Sequence, residues 1–271
     1  MTSTPIRRYG AAILMLLICT FSGGVFAKTH TVTKHQKASV TKTSFNKASS
    51  KQEYSRNSVK SSSLPDLRKY PSGTPRKRAF LRTVMPYITS QNAAITADRN
   101  WLVSKQYEGR WSPSERARLK DIAARYKVSW NGNTRKVPWN TLLERVDIIP
   151  GSMVATMAAA ESGWGTSKLA RNNNNLFGMK CGRSCGSGSM NGYTRFSSVK
   201  ESVQAYATNL NTHPAYASFR KSRAQLRKTD QEVTATAMIH KLKGYSTKGS
   251  RYNDYLFAMY QDNQRLIAAH M

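Results

Sequence analysis

Carboxylates are scarce in this chain: 14 Asp and Glu stand against 43 Lys and Arg in 271 residues, and none lies between Glu161 and Glu201. Any chemistry centred on Glu161 therefore has no second acid close by in sequence. Cysteine is nearly absent, with three residues, and Cys181 and Cys185 have no nearby His to complete a tetrahedral ligand set. No metal and no cofactor are expected. Long apolar runs are missing as well; the stretch from Ala11 to Phe21 is too short for a confident membrane span. No nucleic-acid-binding motif accompanies the basic charge, which argues against a nucleic-acid partner.

What the N-terminal part does contain is an address. Arg7 and Arg8 precede the apolar run, and Val25-Phe26-Ala27 offers a cleavage site, so residues 1–27 read as a secretory signal, with a retained signal anchor as the alternative. Cys19 belongs to that segment, because bulky Ile18 before it argues against a lipid-acceptor site. Residues 28–76 are rich in Lys, Ser and Thr and hold 11 basic residues against Glu53 and Asp66. Such a composition predicts a disordered basic linker. The remainder also has an excess of positive charge, which suits an anionic partner such as a polymer bearing carboxylates or an anionic membrane surface.

The centre of the chain points to acid chemistry. Met153, Val154, Met157 and Ala158 to Ala160 give a helix that is apolar nearly all round, with Ser152 as its expected cap and Gly163 as its stop. Glu161 then falls in the last turn. There the negative end of the helix dipole and the apolar neighbours both favour the protonated form that a proton donor needs.

The segment Glu161-Ser-Gly-Trp-Gly-Thr-Ser-Lys-Leu-Ala170, followed by Asn174-Asn-Leu-Phe-Gly178, resembles the signature of the bacterial glucosaminidase family, lysozyme-like enzymes that cut peptidoglycan strands. Phe196 to Val203, Asn211 to Tyr216, and Gly244 to Thr247 with Tyr252 following continue the likeness in order, over roughly Pro138 to Leu266. The resemblance implies that Glu161 is the catalytic acid and that Tyr245 lines the cleft opposite it. It also implies a peptidoglycan substrate and, with the signal, a periplasmic or cell-envelope location.

Many members of the family carry a second carboxylate on a β-hairpin, and here that acid is missing. Ser198-Val-Lys-Glu201 reads as a capping box, with Glu201 bonded back to the Ser198 N–H, so Glu201 is a poor substitute. Glycosidases usually use two carboxyl groups about 5 to 9.5 Å apart. Without the second, the acetamido group of the substrate can serve as internal nucleophile, with Tyr245 orienting it. Three rivals follow: a lytic transglycosylase, a binding protein without turnover, and an envelope scaffold acting through the basic tail.

The rest of the chain from Lys77 is punctuated as helices. Ser112-Pro-Ser-Glu115 opens one that runs through Tyr126, Phe80 to Ser104 forms another, Thr229 to Glu232 caps one that Gly244 ends, and Tyr252 to Ala269 forms the last. Strand signal is confined to Leu176–Lys180 and Tyr193–Phe196, a short hairpin across the Cys181 and Cys185 loop. Those two cysteines are expected to form a disulfide, with free thiols as the alternative. The expected fold is α+β, mostly helical and lysozyme-like, with residues 77–136 a helical extension packed on a catalytic domain of residues 137–271. Sugar faces stack on aromatic rings, so Trp164, Phe177, Tyr193 and Tyr252 are the expected substrate platform. Asn175, in the run Asn172 to Asn175, is either a sugar-binding amide or part of a polar turn.

Overall fold

A computed structural model describes residues 63–271 apart from 183, 184, 186–188, 190, 244 and 246–248. The expected signal segment, most of the expected linker and the expected helix stop at Gly244 lie outside the described residues. Those residues form nine α-helices and four short 3-10 turns.

The longest helix, α1 (Thr74–Lys105), links two apolar clusters. It begins six residues earlier than its sequence pattern suggested, because Pro75 at the first turn supplies a preset φ where an N–H is not needed. At 32 residues it is about 48 Å long. Its C-terminal half packs Leu102 with Leu119, Ile122, Leu142 and Val146 from α2 (Pro113–Arg125) and α3 (Trp139–Arg145). Trp101, Trp111 and Trp139 adjoin one another there, with ring centroids 6.2 Å apart in each neighbouring pair. The Ser112 and Glu115 capping box of α2 is present, both bonds formed.

The larger cluster surrounds α4 (Gly151–Ser162), which packs against α1 and against α9 (Ser250–Ala268). Every residue of α4 from Met153 to Ala159 is buried, as an apolar pattern without a polar face requires. Ser152 does not cap this helix. Pro150 precedes it, Ser152 lies within the first turn, and the Ser152 carbonyl accepts from the Thr156 hydroxyl at 2.8 Å. The remaining walls are α6 (Val199–Thr212) and α7 (Ala217–Lys228), preceded by the short α5 (Lys168–Asn173).

Three further expectations are corrected. Thr229 closes α7 instead of opening the next helix, its N–H and hydroxyl turned back onto the Gln225 and Leu226 carbonyls. Thr234 caps the short α8 (Ala235–Met238) in its place. Within the segment from Leu64 to Arg76, expected in the linker, Leu64 and Leu67 are buried and the Leu64 N–H donates to Asn174 Oδ1 at 2.9 Å, while most of the other residues are exposed. Among the described residues there is no strand; Lys180 and Tyr193 form one isolated antiparallel bridge where a hairpin was expected. Asn175 binds both sides of this turn and so occupies the carbonyls of Met179 and Thr194 with its amide.

The turn into α4 is fastened by charge. Asp147, 1% exposed, receives two hydrogen bonds from Arg227 at 2.9 and 3.1 Å, and Arg99 and Arg223 lie within 3.6 and 3.7 Å of it. Arg223 is itself fully buried and donates to the carbonyls of Glu144, Asp147 and Ile148 and to Asn211 Oδ1. Burial lowers its guanidinium to about 10, with Asp147 opposing the shift. Breaking a buried pair by removing one partner costs roughly 3 to 5 kcal/mol, because the other charge stays behind. Asp147→Ala is therefore expected to lower unfolding stability by about that amount in a urea titration; a loss under about 1 kcal/mol would show that water already screens this cluster.

Candidate active site

α4 ends where its sequence says it should. Gly163 adopts the left-handed conformation at φ 57°, and the N–H groups of Gly163 and Trp164 both turn back to the Ala159 carbonyl. Glu161 thus stands in the final turn, half-buried, at the rim of a cavity of about 470 Å³. The cavity wall includes Phe177, Gly178, Tyr206, Asn209, Tyr216 and Tyr245. Among its described lining residues Glu161 is the one carboxylate.

Two features fix that carboxyl group. The Tyr252 hydroxyl, from the first turn of α9, donates a short hydrogen bond to Glu161 Oε1. On the other side lies Gly178, where a Cβ would sit at ordinary contact distance, 3.5 Å, from Oε2; its φ of +61° is what disfavours a side chain. The Leu-Phe-Gly segment therefore ends in glycine because of this backbone turn beside the acid. Tyr252 was expected to stack on sugar, and the structure makes it the hydrogen-bond partner of Glu161.

Phenol rings extend the wall. Tyr245 stacks on Tyr252 at 5.5 Å and 16°, and Tyr206 meets Tyr245 edge-on at 6.4 Å. Phe177 lies flat on Tyr206 at 4.0 Å, which holds both rings at the cavity. Burial is the main reason that the Tyr206, Tyr245 and Tyr252 phenols lie well above their ordinary range, and the charge of Glu161 adds to it in all three. These hydroxyls remain protonated donors at neutral pH.

The other nominated residues are placed elsewhere. Trp164 packs edge-on against Phe80 at 5.6 Å, with the Lys77 ammonium 5.1 Å from its ring, so it faces α1 and does not line the cavity. Its own left-handed φ of 56° turns the ring that way, and Gly165 beside it leaves room for Leu67, which a Cβ would approach to 2.7 Å. Asn175, 1% exposed, bonds Met179 through both its carbonyl and its amide, and Thr194 through its amide. It is the keystone of a polar turn. Tyr193 lies at the isolated bridge with Lys180 and does not line the cavity. Cys181 and Cys185 are joined by a disulfide that closes the adjoining loop.

Tyr206, Asn209, His213, Tyr216 and Lys180 line the cavity without having been nominated. Tyr206 and Asn209 carried no local signal beyond α6 periodicity, whereas His213 and Tyr216 lay inside a matching segment. Glu201 accepts from the Ser197 N–H and hydroxyl, each at 2.7 Å, which displaces the expected bond to Ser198 by one residue at the α6 start.

A half-buried acid at the end of an apolar helix, beside aromatic rings at an open cavity, is compatible with glycan cleavage. The chain belongs to the glucosaminidase family: residues 138–265 match the family model described as glucosaminidase, mannosyl-glycoprotein endo-beta-N-acetylglucosaminidase. That membership places it among glycoside hydrolases acting on a glycan substrate. It is 81% identical over 274 residues to protein bax of Escherichia coli strain K12, and the match covers 100% of both chains. No solved structure gives a significant match.

The raised phenols link folding stability to alkaline pH. Their protons are held more tightly in the folded chain than in the unfolded one, where tyrosine ionises near 10.0. Their contribution is complete below that pH and is lost as pH rises above it, by about 1.4 kcal/mol per pH unit for each group. Urea midpoints measured from pH 9 to 11 should fall less steeply for Tyr206→Phe than for the parent chain; parallel slopes would remove Tyr206 from this account.

Proposed function

We propose that this protein is an endo-acting β-N-acetylglucosaminidase of peptidoglycan that works with one carboxylic acid. The observation that carries the reading is the state of Glu161: Tyr252 occupies Oε1, leaving Oε2 on the side of Gly178 and the cavity. Oε2 delivers the proton to the glycosidic oxygen as the bond to the anomeric carbon breaks. The substrate acetamido oxygen then closes on that carbon, or a water held beside Tyr245 attacks it. In either case the ionised Glu161 later takes a proton from the water that completes hydrolysis. The absence of a second acid from the described lining supports this economy.

The same absence favours one other reading, a lytic transglycosylase, in which the sugar's own 6-hydroxyl closes the ring. A periplasmic or envelope location is part of the proposal, supported by the signal-like residues 1–27 and the basic residues 28–76, whose charge suits the carboxylates of the wall or an anionic membrane surface.

Digestion of purified peptidoglycan by residues 28–271, with mass spectrometry of the products, tests it. New reducing N-acetylglucosamine ends are expected, and Glu161→Gln should reduce their formation by about 10² to 10⁴-fold. Anhydro-muramyl ends would move the chain to the transglycosylases, and no turnover from folded protein would leave a binding module.

Tyr252→Phe isolates the hydrogen bond to the acid. Its loss should lower kcat by roughly tenfold while folding stability changes by about 1 kcal/mol or less. An unchanged kcat would show that Glu161 is oriented without it.

A further inference from the structure

Beside the acid cavity lies a second depression, of about 450 Å³, that shares Met179 and Asn209 with it. Its floor is one face of α6: Glu201, Gln204, Ala205, Thr208, Asn209 and Thr212 recur at the three- and four-residue spacing of a helix stripe. The opposite face of the same helix supplies Val203, Tyr206 and Leu210 to the core. Lys127 closes the groove from a separate element, the turn after α2, and this residue precedes the region matched by the family model. Lys127 holds a left-handed φ of 54°, and its carbonyl accepts from Arg145 at 2.6 Å. The turn that presents its side chain is thus fixed, and its ammonium has no ion-pair partner among the described residues.

Resting on the reading of the acid cavity as a peptidoglycan-cleaving site, we infer that this groove binds the stem peptide attached to the strand being cut. Two contrasts single out a peptide over further sugar units. The acid cavity is walled by four aromatic rings, Phe177, Tyr206, Tyr216 and Tyr245, whereas the groove has none, so it lacks the platform on which sugar faces stack. In place of rings it offers amides and hydroxyls together with one cation, Lys127, and one anion, Glu201. That pattern suits a peptide carrying both a free carboxylate and a free amine: Lys127 meets the carboxylate, Glu201 the amine, and Gln204, Thr208 and Asn209 the peptide groups between them. The α6 stripe from Glu201 to Thr212 is about 16 Å long, and four or five extended residues span roughly 13 to 18 Å.

The test compares kcat/KM on intact peptidoglycan strands with that on the same strands stripped of peptide by an amidase. For Lys127→Glu the ratio of the first to the second should fall about fivefold relative to the parent chain, the scale of an exposed ion pair made repulsive. Glu201→Gln, which retains an acceptor for Ser197, should lower the same ratio by a smaller factor. An unchanged ratio in Lys127→Glu, whether both substrates are cut normally or both equally slowly, overturns the groove assignment and leaves the glucosaminidase reading standing. A parent chain that cuts neither substrate overturns that reading, and the groove assignment falls with it.

Discussion

The structure depends on one buried carboxylate. Asp147 sits where the chain enters α4, and it gathers Arg99 from α1 with Arg223 and Arg227 from α7. Asn211 of α6 adds its amide to the Asp147 carbonyl at 3.0 Å. Three helices are thereby tied to the turn that leads into a fourth. In a chain with a formal charge of +29, buried guanidinium groups would repel one another unless an anion stood between them. Asp147 supplies that anion, and the carbonyls of Glu144 and Ile148 accept from the terminal nitrogens of Arg223, whose Nε faces Asp147 at 3.7 Å without a hydrogen bond. The arrangement is costly to desolvate and gains its value as a geometric constraint.

What it constrains is the other end of α4. A rigid, apolar helix anchored at Asp147 carries Glu161 to the cavity in its last turn, while α9 brings Tyr252 to the same place and α6 brings Tyr206. The glycines after the acid serve packing as much as turning. Gly165 admits Leu67 and Phe80, which ties the segment before α1 to the Glu-Ser-Gly-Trp-Gly turn. The N-terminal helices are thereby joined to the acid-bearing turn on one side and, through Lys127, to the groove beside it on the other.

Much of this was legible in the sequence because it is local. The apolar helix, its glycine stop, the Ser112 and Glu115 box and the extent of α9 each depend on residues a few positions apart, where propensity and capping decide. The acid was legible for the same reason, since its place in the last turn is a matter of counting. Side-chain direction was not. Trp164 reads as a cleft residue until two successive left-handed residues turn its ring onto Phe80. Asn175 reads as a sugar ligand until the bridge at Lys180 and Tyr193 consumes its amide. Tyr206 is one more inward position of an amphipathic helix, and only the packing of α6 against Phe177 puts it at the cavity. Thr229 failed as a cap because the chain reverses at Asp230, φ 52°, before another helix can start.

The choice of phenols around Glu161 follows from the charge of the chain. With 43 Lys and Arg available, an ion pair to the acid would have been easy to build, yet among the described residues Glu161 has none and Tyr252 is its hydrogen-bond partner. A fixed guanidinium would favour the ionised carboxyl and oppose the protonated form that the proposed proton transfer requires. A phenol donating to one oxygen favours the ionised form as well, but without the full charge of a cation, and burial of Tyr245 and Tyr252 keeps these phenols protonated. The same protein therefore surrounds one carboxylate, Asp147, with arginines, and gives the other, Glu161, a tyrosine hydroxyl as its partner.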